Sequence, residues 1–454
     1  MSRHPTPPLS PRPVKRQKVD HLTSEDFKNG IMLAPMVRSG SLPTRLFALK
    51  HGASLVWSPE IVDKAILHSE RVVDPNTGVV SYNGKSGPMF MTHPIEKPYL
   101  IYQIGSANPD LAVQAAKTMQ QDVSGIDLNC GCPKPFSTHA GMGAALLTNP
   151  DLLCSILTAL REAMPPEITV TAKIRLLQSQ EDTLKLVERI VNTGVAAITI
   201  HCRTRNMRPR ERALIERLRE IVHFVEGLGK GIAVIENGDC VGLNDVVRMR
   251  GITGAHSFMV ATAAESNPTC FSRTPLVDLE QSLIPHYIRL GSYLGNIWPS
   301  TKFCAMSFKG SHKSLSKADR KDVRDILSHA KSYVDVDGLL GGVWNGAEEM
   351  QAIVSAIEAR SRWTGRVLDD IISQPVDDPA RSEPLERNAD QEEKVNPGLV
   401  TPPEKRENPE MITLATPRQP PNERMVPIPA MISGRDAPTP TPTPGPGGVL
   451  RHAP

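Results

Sequence analysis

The 454-residue sequence predicts an α/β protein: eight strands alternating with helices, then a small all-helical domain, with disordered N- and C-terminal tails. Three observations carry this. Eight short apolar or β-branched runs recur between residues 31 and 260. Most are followed by a stretch with the spacing of an amphipathic helix. Polar residues close nearly every run, and the C-terminal strand ends are where a (β/α)8 TIM barrel assembles its chemistry.

In order, the runs are IMLAP (31–35), SLVWS (54–58), LIYQIG (100–105), GIDLN (125–129), ITVTAKI (168–174), AAITIH (196–201), GIAVIENG (231–238) and AHSFMV (255–260). Their length and β-branched content suit strands of a parallel sheet buried on both faces. NPDLAVQAAKTMQ (108–120) predicts a helix with Asn108 as N-cap and proline next. TNPDLLCSILTALREAM (148–164) predicts another, and EDTLKLVERIVNTG (181–194) a third that stops at a glycine. A doubly wound open sheet is the alternative, but it needs a phosphate fingerprint after the first strand, and APMVRSGSLP contains no GxGxxG. After residue 280 the strands stop. PHYIRLGSYLGNIW, STKFCAMSFKG, KADRKDVRDILSHAKSYVDV and NGAEEMQAIVSAIEARSRW read as helices. The expected domains are therefore a basic, proline-rich tail at 1–24, the barrel at 25–280, a helical domain at 281–368 and a second proline-rich tail at 369–454. Neither tail has the apolar content to offset the entropy of ordering.

The net charge of +3 does not point to nucleic acid, so local charge matters more. No apolar run is long enough to cross a bilayer and no secretory leader is present, so membrane association is not expected. Seven scattered cysteines predict reduced thiols and an intracellular protein. Lys15, Arg16 and Lys18 could serve nuclear import, which leaves cytoplasm and nucleus both open.

The strand ends carry Pro35, Met36 and Val37, then Ser58-Pro59-Glu60, Gln103, Asn129, Lys173 with Arg175, His201 with Arg203, Asn237 with Gly238, and Ala261-Thr262. Each alone has an ordinary explanation as a cap or a solvated side chain. Gathered at one rim, they describe a polar pocket for a planar cofactor. Lys173 can neutralise an anionic ring, as at N1 and the C2 carbonyl of a reduced flavin. Gln103 and Asn237 offer donors and acceptors to a pyrimidine-like edge. Gly238 and the Ala261-Thr262 turn are placed to hold phosphate on backbone N–H groups. A Schiff-base role for Lys173 is the rival reading.

Cys130 and Cys132 stand one residue apart in GIDLNCGCPKPFSTHAGMGAALL. A zinc site needs four ligands, and no second pair lies nearby, so no metal is expected. A redox dithiol usually has two intervening residues. Cys130 shares the register of Ile126 and Leu128 and should pack. Cys132, held before Pro133, should act. An unactivated thiol titrates near about 8.5 and is protonated at neutral pH, which suits a general acid. A low-pKa nucleophile is the alternative.

IDLNCGCPKPFSTHAGMGAAL closely resembles the signature segment of the tRNA-dihydrouridine synthases, and MLAPMVRSGSLPTRL, YQIG, AKIR, HCRTR and ENGD follow in that family's order. MRPRE and IRLGSYLGNIWPSTKF resemble the eukaryotic subfamily acting on position 20 of the D-loop. The resemblance implies an FMN-bound barrel, a helical domain that reads tRNA, and reduction of the uracil C5–C6 double bond. NADPH, or NADH, reduces the flavin; hydride passes from N5 to C6 and an acid protonates C5. Cys132 then matches the proton donor, and Asn129 a residue that holds the base. Pro35, Met36, Val37, Gln103, Lys173, His201, Asn237, Gly238, Ala261 and Thr262 match flavin contacts. Thr262 stands where the family usually has arginine. No α-β-β-β-α pattern follows residue 370, so an appended double-stranded-RNA-binding domain is not expected.

RNA contacts are expected from Arg203, Arg205, Arg208 and Arg210 at the rim, and from Lys302, Lys309, Lys313, Lys317, Arg320, Lys321 and Arg324 in the helical domain. Asp319, Asp322 and Asp325 interrupt that set and weaken it. A monomer is expected. Two other functions stay open: an RNA-binding protein that keeps the fold without catalysis, and an FMN barrel oxidising or reducing a free small molecule.

Overall fold

The structure is a computed structural model that describes residues 21–85, 87–208, 210–309 and 317–360, with the backbone alone for 317–320. Most of the N-terminal tail, and all of the C-terminal one, lie outside the described residues. So do Lys313 and the region searched for a further RNA-binding module.

The eight expected strands form and close. They are β1 (Ile31–Leu33), β2 (Val56–Trp57), β3 (Leu100–Gly105), β4 (Gly125–Cys130), β5 (Thr169–Leu176), β6 (Ala197–Thr204), β7 (Ala233–Asn237) and β8 (Ser257–Val260). Each lies parallel to its sequence neighbours, and β8 returns to β1 with Val260 opposite Leu33. Alternation along the strands explains their composition. On β5, Val170, Ala172 and Ile174 are buried under the outer helices, while Thr171, Lys173 and Arg175 carry the polar inner set. The outer layer includes α1 (Leu42–Lys50), α2 (Pro109–Met119), α3 (Pro150–Ala163), α4 (Gln180–Val191), α5 (Leu218–Gly227) and α6 (Val246–Thr253). The expected cap is present, Asn108 Oδ1 accepting from Leu111 N at 2.9 Å, and Asn149 caps α3 in the same way, its Oδ1 accepting from Leu152 N at 3.2 Å.

An excursion between β2 and β3 was not expected. Ile61–Val62 adds to the upper end of β3, and an antiparallel sheet of Glu70–Val73, Val80–Gly84 and Gly87–Thr92 follows. Its first strand is exposed along its whole length, so no buried face imposes an alternation on the sequence. Side chains fasten it to the barrel instead. Phe90 packs edge-on against Tyr102 of β3 at 5.4 Å, while Tyr82 and Arg71 both donate to Asp122 below α2.

The helical segment holds α7 (Ile284–Tyr293), α8 (Trp298–Ser307), α9 (Lys317–His329) and α10 (Gly346–Glu358). It shares one compact unit with the barrel. Tyr287 of α7 is fully buried, 2.8 Å from the Thr44 hydroxyl of α1 and edge-on to Phe308. Gly346 lets α10 approach α7: a Cβ there would come 2.4 Å from Tyr293 Cβ.

His51, which follows α1, stacks on Phe47 and sits beside Lys50. Burial, then that charge, lowers its pKa to about 4. Below about pH 6.5 the unfolded chain therefore takes up a proton that the fold refuses, so this contribution to stability is lost as pH falls from 6.5 to 4. Buried Asp127 works in the opposite direction, because burial raises its pKa to about 6. The test is therefore a difference. Relative to the parent, His51→Gln should gain about 2–3 kcal/mol between pH 7.5 and 4 in urea unfolding. Parallel curves for the two proteins would contradict it.

Candidate active site at the barrel mouth

Gln103, Cys132, Lys173 and His201 come from four consecutive strands or the loops after them, β3 to β6. The register sets them side by side: Gln103 is opposite Asp127, Asn129 opposite Lys173, and His201 opposite both Arg175 and Asn237.

Asp127 organises the lower layer. It is fully buried, accepting from Gln103 Nε2 at 2.8 Å and from Thr171 Oγ1 at 2.6 Å. The Gln103 amide is thereby oriented, with its nitrogen toward Asp127 and its carbonyl oxygen left as an acceptor. Lys173 is half-buried. Its ammonium donates to Asn237 Oδ1 at 2.8 Å, across β6, and retains further hydrogens for the mouth. Burial, and then Arg175, lowers its pKa to about 8, while Asp127 and Glu236 oppose that shift. His201 is held well below its ordinary value by burial and by Lys173, Arg175 and Arg203 around it, so it is a neutral imidazole. Its Nε2 lies 3.3 Å from Arg203 Nη1.

The Cys132 loop is pinned from three sides. Asn129 Oδ1 accepts from the N–H groups of Gly131 and Cys132 at 3.0 and 3.1 Å. Arg175 Nε donates to Gly131 O at 2.7 Å, and Ala144 N to Cys132 O at 2.9 Å. The glycine run earns its place here. Gly143 has φ +58°, and a Cβ on it would come 2.7 Å from Cys132 O. Cys130 is fully buried and packs, as its register required. Cys132 is only half-buried, and burial, followed by the charge of Glu60, raises its pKa, so the thiol keeps its proton at neutral pH.

Several expected binders hold protein instead. Asn237 bonds at both ends, to Lys173 and through Nδ2 to Met259 O at 2.8 Å, so it positions Lys173. Asn129 gives its carbonyl to the Cys132 loop. Arg203 is buried, with its guanidinium on Asp239 and Glu211 O, not at the rim. Lys302 donates to Ser328 O and Ala330 O at the end of α9, while Arg324 donates to Met306 O and Phe308 O at the end of α8. These two cations cap each other's helices. For the three cations a backbone carbonyl or carboxylate within reach takes the group, and for the two asparagines a backbone or ammonium N–H takes the side-chain oxygen. Lys309 and Lys321 are exposed, as are Arg205, Arg208 and Arg210. Lys317 opens α9. Pro35 and Met36 line the turn after β1, Val37 is 60% exposed, Gly238 is buried, and Ala261-Thr262 begins a five-residue helix after β8. Asp127 is not among the residues expected from the sequence. Asp127 had one signal, a charged residue at an inward position two before Asn129.

A family model described as dihydrouridine synthase (Dus) matches residues 32–333. The chain is 44% identical over 319 residues to the NAD(P)+ tRNA-dihydrouridine(20) synthase of Schizosaccharomyces pombe, covering 68% of this chain and 64% of that protein. It is 43% identical over 264 residues to the Saccharomyces cerevisiae protein of the same name, covering 55% of this chain and 67% of that one. To the S. cerevisiae tRNA-dihydrouridine(20a/20b) synthase it is 32% identical over 240 residues, covering 52% and 60%. The chain thus spans about two thirds of the length of the first two relatives. A match running from β1 to beyond α9 takes in the whole barrel mouth and not one motif alone: the chain belongs to the dihydrouridine synthase family.

Proposed function

We propose that this protein reduces the C5–C6 double bond of a D-loop uridine in tRNA, at position 20, to 5,6-dihydrouridine, using FMN and NADPH or NADH. The observation that carries this reading is the convergence of Gln103, Lys173, His201 and the Cys132 loop at the mouth of one closed barrel.

The residues present suit FMN. Lys173 offers a cation with hydrogens to spare beside a neutral His201, which favours negative charge on a ring edge. Gln103, locked by Asp127, offers an acceptor to a ring N–H. Pro35, Met36 and Val37 flank the ring, and the backbone at Gly238 and Ala261-Thr262 serves the phosphate. When bound, FMN supplies the hydride delivered to C6, with NADPH as the source of electrons. Cys132, protonated and held by Asn129 and Arg175, gives its proton to C5. C5 protonation asks for a protonated group more than for a strong acid, and burial keeps Cys132 in that form. Uridine must leave its stack to reach this depth.

The test is to incubate purified protein with NADPH and tRNA lacking dihydrouridine, then map reduced uridines by mass spectrometry. Loss of one D-loop uridine supports the reading, and flavin absorbance without any uridine conversion counts against it. Thr262, with no guanidinium of its own for the phosphate, favours the second reading of an RNA-binding protein without catalysis; that reading predicts protein isolated without flavin.

For the RNA grip, Lys317, which opens α9, and the exposed Lys321 one turn on are the proposed phosphate contacts. The double charge reversal Lys317→Glu, Lys321→Glu should weaken tRNA binding and flatten its salt dependence by about two counterions. An unchanged slope of log Kd against log salt would reject this surface.

A further inference from the structure

Glu60 has no part in the roles described above, yet it sits against the group that acts. It follows β2, and its carboxylate meets the Cys132 loop. Ser137 Oγ donates to Glu60 Oε1 at 3.3 Å. The Cys132 thiol and the Asn129 amide face the same carboxylate. Its second oxygen, Oε2, is shut away from water without a well-formed hydrogen bond. Small residues make the approach possible. A Cβ on Gly105 would come 2.6 Å from Glu60 Oε1, and one on Gly143 would come 2.3 Å from Ser137 Oγ.

A buried carboxylate oxygen without a donor loses its hydration and gets nothing back. The thiol of Cys132 is a donor at hand. We propose that Glu60 is a positioning residue for Cys132: its carboxylate accepts the S–H, holds the sulfur as a thiol and so preserves the proton that C5 receives. This rests on the reading of Cys132 as the acid.

The surroundings agree in sign. Burial raises Glu60, and burial together with the Glu60 charge raises Cys132. Against them stand Arg175 from β5, the Lys134 backbone N–H and the Ser137 hydroxyl, which favour a thiolate. Cys130, on β4, also feels the Glu60 charge but is sealed in the core. Glu60 is thus the counterweight that keeps Arg175 from making Cys132 a nucleophile. In turnover the S–H bond breaks as the C5–H bond forms. The thiolate then faces Glu60 and recovers its proton from water.

The test uses the purified holoprotein and no RNA. Cys132 alkylation by iodoacetamide is followed across pH by peptide mass spectrometry, in the parent and in Glu60→Gln. Loss of the charge should move the half-point to lower pH and raise the rate at pH 7.5 about threefold or more. The alkaline limb of the uridine-reduction profile should move the same way, with flavin content unchanged. A half-point equal to or above the parent's overturns the proposal. Ser137→Ala is a second arm in case Glu60→Gln does not fold. It removes the hydroxyl that shares Oε1, so Cys132 alkylation should slow; an equal or faster rate overturns the proposal. Since alkylation needs no tRNA, a failure here is distinct from a failure to reduce uridine.

Discussion

Replacing Cys132 with alanine is expected to slow uridine reduction by about 10²–10⁴-fold while NADPH still bleaches the bound flavin at the parent's rate. The two half-reactions separate because Cys132 touches only the second. It stands on a loop pinned by Asn129, Arg175 and Ala144, and none of these bonds involves its sulfur. The alanine variant should therefore fold and retain flavin, and the missing acid leaves C5 without a positioned proton donor. Serine restores the shape but titrates far above a thiol, so Cys132→Ser should recover little. Stopped-flow reduction by NADPH, followed by single-turnover oxidation with tRNA, reads the two steps apart. An alanine variant that turns over uridine at the parent's rate removes Cys132 from the chemistry, and the acid must then be sought elsewhere at the mouth.

The largest expected loss of stability is at Arg45. It lies on α1 with 1% of its side chain exposed, and its partner Glu96 is fully buried. The pair is bidentate, Nε to Oε2 at 2.9 Å and Nη2 to Oε1 at 2.6 Å. The other hydrogens go to Gly40 O and Met91 O, both at 2.7 Å. One guanidinium thus joins the turn after β1 to the antiparallel sheet. Arg45→Ala leaves Glu96 charged in the core with the Thr92 hydroxyl, 2.7 Å from Oε1, in place of a cation, and should cost about 3–5 kcal/mol in denaturant unfolding. Removing both partners should cost less than the single change, since no unpaired charge remains. A single-variant loss under about 1 kcal/mol would show that water reaches Glu96. Because Gly40 follows Pro35, Met36 and Val37, flavin retention should fall along with stability.

The barrel could be read from the chain because its signals are local. A strand buried on both faces is short and apolar, and its helix needs a cap; Asn108 serves as expected. Cys130 and Cys132 could be told apart for the same reason, since strand register turns one inward to the core and leaves the other on the loop. The antiparallel sheet after β2 escaped notice because its first strand is exposed and carries no pattern.

Residue types and strand register thus dictated the closed cylinder, the rim on which its polar residues sit and which of the two cysteines leaves the core. What they left open was the partner of each polar group. Asn237, Arg203 and Lys302 all have the chemistry to bind ligand, and all are committed to neighbours far away in sequence, while Asn129 holds the loop two and three residues on. A hydrogen bond forms with whatever acceptor folding brings within about 3 Å, and that distance exists only after the chain has closed. Asp127 beneath Gln103 is the same lesson in reverse, an ordinary carboxylate along the chain that orients an amide only once folding packs the two together, and the place proposed for Glu60 beside Cys132 has the same origin.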